Sequence, residues 1–150
     1  MKFADIIENA KKIKAKKLAV IAAEDEDVLF SVVKAASFGF VKPLLLGNTN
    51  KITELAKKAE INLNGCELVH ADNQAEAARL GVVMAAEGKV DALMKGQLHS
   101  SILMRAILNK EWGIRESKVL SHVGIIESPK LNRLLFLTDG AMCMYISIRK

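Results

Sequence analysis

Residues Leu18 to Ala23 read Leu-Ala-Val-Ile-Ala-Ala, six positions without a polar side chain. A half-exposed strand would alternate apolar and polar residues. A run this short and this uniformly apolar is the pattern of a strand buried on both faces. Similar runs return at Val41–Leu46, at Cys66–His70 and at Val90–Met94. Each is separated from the next by a segment with helical spacing. Leu29, Val32, Val33 and Ala36 form the first such stripe, Ile52, Leu55, Ala56 and Ala59 the second, and Ala77, Leu80, Gly81 and Met84 the third. Strand–helix alternation with short turns predicts a parallel sheet with helices on both faces, an α/β/α sandwich.

The punctuation agrees with this reading. Gly39 and Gly88 follow the first and third stripes, where a residue free to take positive φ ends a helix. Glu24 to Asp27 place acids at a helix start, and Asn73 with Glu76 resembles a capping box. Pro43 fits best near the start of its strand. Ahead of the first strand, Phe3, Ile6, Ile7, Ala10 and Ile13 mark a helix over residues 3–14. After the fourth strand, residues 95–99 form a loop, and Ser100 is a plausible N-cap for a helix through about Lys110. Beyond Trp112 the rhythm changes. Lys118–Ile126 and Arg133–Thr138 are strand-like runs joined by Glu127–Asn132, the spacing of a hairpin with a longer loop. The expected organisation is an α/β domain over 1–116, a hairpin crossing toward a second domain over 117–142, and an atypical tail at 143–150.

Composition narrows the function classes. With 51% hydrophobic residues the chain of 150 is not disordered. Its net charge of +5 is concentrated at the start, where six lysines face only Asp5 and Glu8 across residues 1–17. The rest is nearly neutral, so a nucleic-acid partner is not expected; the lysines fit a solvated helix face. No stretch nears the ~20 apolar residues of a membrane span. Cys66 and Cys143 have no metal-type spacing, no HExxH or paired CxxC occurs, and no metal is expected. Without a signal-peptide core, a cytoplasmic location is the expectation.

In open parallel sheets, ligands bind beyond the C-terminal ends of the strands. The richest segment there is Lys95–Ser101. Gly96 allows close backbone approach. Ser100 and Ser101 add hydroxyls beside the free N–H groups of a helix start, a ready anion site. Lys95 supplies a positive charge, and His99 can donate a hydrogen bond or carry a proton. Taken singly, each has a plainer role: Ser100 as a cap, Gly96 as a turn, Lys95 as a solvated cation. Together they suit a phosphate. His70, near a strand end, reads as structural. The first strand is followed by Ala22-Ala-Glu-Asp-Glu-Asp27, not by a glycine-rich nucleotide loop.

Val90-Asp-Ala-Leu-Met-Lys-Gly-Gln-Leu-His-Ser-Ser101, followed by Ile102-Leu-Met-Arg-Ala-Ile-Leu108, resembles a segment of the phosphate acetyl/butyryltransferases, and most of all the butyryltransferases. Leu120-Ser-His-Val123 and Leu134-Leu-Phe-Leu-Thr-Asp-Gly-Ala-Met142 resemble two later motifs of that family, in the same order. Leu18–Asp27 resembles its opening strand and turn. The resemblance covers nearly all of residues 15–142. It implies a two-domain enzyme of isocitrate-dehydrogenase-like fold, with substrates meeting in the interdomain cleft. It also implies the reaction acyl-CoA + phosphate to acyl phosphate + CoA, with coenzyme A as substrate and no covalently bound cofactor. Carried over by position, His99 and Asp139 are the expected catalytic residues. Lys95, Gly96, Ser100, Ser101, Ser121 and His122 are the expected substrate contacts. A homo-oligomer is expected. Family members are about twice as long, so a truncated form is expected, with an inactive remnant that binds phosphate or a phosphorylated small molecule as the alternative.

Overall fold

A computed structural model of the chain describes residues 1–116 and 120–138. In chain order the elements are α1 (Phe3–Ala10), β1 (Lys16–Ile21), α2 (Glu26–Ser37), β2 (Val41–Gly47), α3 (Thr49–Lys58), β3 (Glu67–His70), α4 (Gln74–Ala86), β4 (Ala92–Lys95), α5 (Ser100–Ile107), β5 (Val123–Ser128) and β6 (Arg133–Thr138). They fall into two compact units. One is Ile13–Arg115; the other joins Met1–Lys12 to the described residues from Glu116 onward.

The larger unit is the predicted parallel sheet, with strand order β3-β2-β1-β4. Alternate residues of the central strands feed two cores. Ala19 and Ile21 of β1, with Leu44 and Leu46 of β2, meet Ala77, Ala78 and Val82 of α4 and Ala106 of α5. Val20 and Leu45 point the other way, to Leu29 and Val32 of α2 and to Ile52 and Ala56 of α3. The uniformly apolar strands are thus covered on both faces. Three helices start on side-chain caps: Asp25, Asn48 and Asn73 accept from the N–H groups of Val28, Lys51 and Glu76 at 3.0–3.1 Å. The Glu76 carboxylate takes the Asp72 N–H at 2.8 Å, one residue before the Asn73 cap, so the expected capping box is not closed on the cap residue itself.

Pro43 sits inside a central strand, where proline is rarely found. Its place is explained by register. Lys16 N–H donates to the Phe40 carbonyl, and the Gly47 carbonyl accepts from Ala71. In a parallel strand the backbone groups alternate sides, so even-numbered residues of β2 face β1 and odd-numbered ones face β3. Pro43 therefore faces the β3 side, and β3 begins pairing only at Leu44↔Glu67.

Asp91 ties the start of the β4 segment to β1. Its carboxylate accepts the Lys17 N–H at 2.8 Å and pairs with Lys16 Nζ at 3.1 Å. The backbone hydrogen bond from Lys17, then the Lys16 side chain, hold its carboxyl below the ordinary range. A lowered folded-state pKa gives stability that is present above the unfolded value and lost as pH falls through the folded one. Asp91→Asn, which imitates the protonated acid, is expected to melt below the parent at pH 7. The gap should close as pH falls below the ordinary aspartate range. A gap independent of pH in thermal melts would exclude charge as its cause.

In the smaller unit β5 and β6 pair antiparallel from Val123↔Thr138 to Ser128↔Arg133. Four residues close the hairpin, with Asn132 at φ 51°. The Phe3 N–H donates to Glu127 at 3.0 Å and the Leu134 N–H to the Met1 carbonyl at 3.2 Å, which fasten the chain start to the hairpin.

The structure corrects several expected boundaries. α1 ends at Ala10, and Ile13, assigned to its apolar stripe, is 58% exposed. Like charges three and four apart among Lys11, Lys12, Lys14 and Lys16 disfavour continuing that helix. The first hairpin strand begins at Val123, so Ser121 and His122 precede it. His99 occupies the N-cap of α5 and Ser100 is its first helical residue.

Candidate functional site

β1 has β2 on one side and β4 on the other, so the chain direction across the sheet reverses between β1 and β4. This is the switch point where open α/β sheets form their crevice. The two strand ends are locked together there. Gly96 N–H donates to the Ile21 carbonyl and Gln97 N–H to the Ala22 carbonyl, both at 2.8 Å. Ala22 adopts φ 57°, left-handed for a residue with a Cβ. That conformation costs roughly 1–2 kcal/mol and the paired strands hold it. Gly96 is required by the same contact. A Cβ on it would lie 2.7 Å from the Ile21 carbonyl oxygen and nearer still to that of Ala22.

Beyond this lock the predicted segment comes together. Lys95 Nζ donates to the carbonyls of Leu98, at 3.0 Å, and Gly96, at 3.4 Å, which holds the ammonium over its own loop. Leu98 is buried and anchors the loop in the α4–α5 core. His99 is exposed, and its imidazole makes no cap bond. The N–H groups of Ser100 and Ser101 have no intrahelical acceptor by helix geometry, and among the described residues nothing else accepts from them. The Gln74 amide reaches across from α4 to the Gln97 carbonyl at 2.6 Å. Gln74, Gln97, Leu98 and His99 line an open cleft of about 300 Å³. Chemically, this is an anion cradle: free backbone donors at the positive end of α5, hydroxyls, a tethered ammonium and one imidazole.

The structure thus brings together Lys95, Gly96, His99, Ser100 and Ser101. Ser121 and His122 belong to the smaller unit, and Asp139 lies outside the described residues. Two groups on the same sheet edge have partners that the sequence reading did not give. The first is Glu24, which was grouped with the acids of a helix start. Only Asp25 caps; the Glu24 carboxylate instead accepts the Asn48 N–H at 2.7 Å, joining the ends of β1 and β2. The second is a relay through His70. Its Nδ1 lies 3.4 Å from the Thr49 N–H and 3.1 Å from the Thr49 hydroxyl, and its Nε2 lies 3.2 Å from Asp72 Oδ1. An N–H can only donate, so Nδ1 accepts and Nε2–H donates to Asp72. His70 thereby cross-links two turns, the structural role its position indicated.

Fold and site define a parallel α/β domain with a helix start of free N–H groups at its switch point. Comparison with known proteins makes this specific. The family model "Phosphate acetyl/butaryl transferase" matches residues 72–147, from the α4 cap through β4, α5 and the hairpin, and the chain belongs to that family. It is 38% identical to the phosphate butyryltransferase of Clostridium acetobutylicum, over 99% of this chain and 49% of that protein. It is 39% identical to a probable phosphate butyryltransferase of Bacillus subtilis, over 95% of this chain and 47% of that protein. The chain spans about half the length of the curated relatives it matches. A branched-chain phosphotransacylase from Enterococcus faecalis V583 superposes with a TM-score of 0.70 at 21% identity, over 88% of this chain and 45% of that one, and so shares the fold.

Proposed function

We propose that this chain carries the phosphate-handling half of a phosphate acyltransferase, acting on an acyl-CoA and inorganic phosphate. The observation that carries the reading is the pair of free N–H groups of Ser100 and Ser101 beside Lys95 and His99, within the span matched by the family model. Phosphate sits on the α5 start, where backbone donors and the helix dipole meet its charge. One phosphate oxygen attacks the acyl carbonyl carbon. The new C–O bond forms, the tetrahedral oxyanion collapses, and the C–S bond breaks. His99 takes the proton of the attacking phosphate and returns it to the departing sulfur. Gly96 sets the loop height, and Lys95, Ser100 and Ser101 hold the phosphate. Asp139 is the second acid–base group, with Ser121 and His122 as substrate contacts. The same reading includes the isocitrate-dehydrogenase-like architecture, a cytoplasmic location, a homo-oligomer and CoA as substrate rather than resident cofactor.

The test is thiol release from butyryl-CoA, with and without phosphate. His99→Ala is expected to lower kcat about a hundredfold or more, with an unchanged melting temperature because the side chain is exposed and caps nothing. An unchanged rate removes His99 from the mechanism. Absence of phosphate-dependent release from folded protein removes turnover by this chain. The exposed anion cradle then favours a second reading, an inactive remnant that binds phosphate or a phosphorylated small molecule. In that case phosphate or acetyl phosphate must still raise the melting temperature, by about 2.7 kcal/mol of stabilisation at a hundredfold excess over Kd.

A further inference from the structure

Among the described residues β5 and β6 are the whole sheet of the smaller unit, and two strands alone are marginally stable in water. Both faces of the pair are apolar. Directly opposed residues share a face, so Val123 and Ile125 lie with Phe136 on one, and Ile126 and Leu137 lie on the other. All of these side chains are 42–57% exposed. Apolar surface on both sides of a thin sheet marks a contact site.

The strand edges show which contact fits. The Leu134 N–H points away from β5, because it donates to the Met1 carbonyl. In an antiparallel pair, opposed residues turn their backbone groups inward or outward together, and the sense alternates along the strand. Glu127, opposite Leu134, therefore turns its N–H and carbonyl outward, and so do Ile125 and Val123. Among the described residues nothing bonds to these outward groups. The chain start lies against the β6 edge at Leu134, whereas the β5 edge is open. The usual guards of an edge strand are missing there: Val123–Ile126 holds no lysine and no proline, and the register runs without a bulge. The charge at the end of this edge, Glu127, is engaged by the Phe3 N–H at 3.0 Å.

This edge is complementary to itself. When it is laid antiparallel on a second copy with Ile125 opposite Ile125, every outward-facing residue meets another. Val123 then pairs with Glu127 of the second copy, and Glu127 with its Val123. The adjacent registers do worse. One sets Glu127 opposite Ser121, ahead of the strand; the other sets Val123 opposite Pro129, which has no N–H. In the matched register the symmetry axis passes at Ile125, and Phe136 and Ile125 of both copies form one apolar band on a shared face.

We propose that the chain pairs with a second copy of itself along β5, in a closed two-fold dimer with one antiparallel sheet running through both copies. This names the surface of the homo-oligomer in the functional reading above. It draws on the smaller unit alone, so loss of acyl transfer would not touch it.

Sedimentation velocity of the full chain over a range of concentrations is expected to show reversible monomer–dimer exchange. Ile125→Lys and Ile125→Glu each set like charges face to face at the axis, and each should weaken the dimer about tenfold or more. The position is exposed, so neither change opens the core. Mixed in equal amounts, the two variants set opposite charges across the axis and should recover the dimer. Ile125→Pro is a further variant: it removes only an outward N–H, keeps the β5–β6 ladder and should also give a monomer. A parent that sediments as a monomer at every concentration overturns the proposal. So does a Lys–Glu mixture that stays monomeric. A dimer that survives in all the single variants overturns it too, and assigns the homo-oligomer to another surface.

Discussion

Gly96→Ala is expected to lower the stability of the chain by about 3 kcal/mol, a fall in melting temperature on the order of 10 °C or more. The added methyl meets backbone, not a side chain that can rotate away: it falls 2.7 Å from the Ile21 carbonyl oxygen and closer to that of Ala22. Relief requires the β4–α5 loop to lift off β1. Lifting breaks the 2.8 Å hydrogen bonds from Gly96 and Gln97, which leaves two carbonyls at the end of β1 without their donors. It also moves Lys95, His99 and the free N–H groups of Ser100 and Ser101, so phosphate affinity should fall with stability. Gly124→Ala is the control, because the new methyl there meets nothing nearer than 3.7 Å. Thermal melts of the two variants, with and without phosphate, decide the matter. A Gly96→Ala protein that melts with the parent would show that the loop is not locked to β1.

The lock also marks the limit of what the sequence could disclose. β1 and β2 were legible because burial on both faces leaves an apolar run that needs no partner to be recognised. The cap Asn73 was legible because a cap acts on backbone three residues away. The β1–β4 lock joins residues 75 apart in the chain, Ile21 and Gly96, through main-chain groups that every residue possesses. Nothing in the side-chain pattern announces it. Glu24 was misplaced for a related reason. Four consecutive acids look alike, and only the distant Asn48 N–H distinguishes Glu24 from its neighbours. The candidate segment Lys95–Ser101 stands out in the sequence because it is continuous. Ser121 and His122 fall in the run Lys118–Ile126 that reads as a strand, but among the described residues pairing starts at Val123↔Thr138.

Ile21 gives the second large expected effect, and it tests the packing beneath the lock. The side chain is fully buried, and its tip lies where α4 has no Cβ: a methyl built on Gly81 would meet Ile21 Cδ1 at 2.9 Å and Cγ1 at 3.0 Å. The glycine in the middle of α4 is therefore a socket for Ile21, which accounts for a residue that disfavours a helix interior by about 1 kcal/mol relative to alanine. Ile21→Ala removes three carbons from a core that cannot fully close over the gap. It should cost about 2–5 kcal/mol. Gly81→Ala alone gains helix propensity but presses on a side chain that must leave its rotamer, at about 1–3 kcal/mol. In the double variant the Gly81 methyl enters space that Ile21 has vacated. Its cost should then vanish or turn to a gain, so the double variant is more stable than the sum of the single changes allows, by at least about 1 kcal/mol. Urea denaturation of the four proteins supplies the cycle. Additive effects would mean that Ile21 does not occupy the socket in solution. The helix that carries Arg79 would then be seated on β1 by the neighbouring contacts of Ala77, Ala78 and Val82 alone.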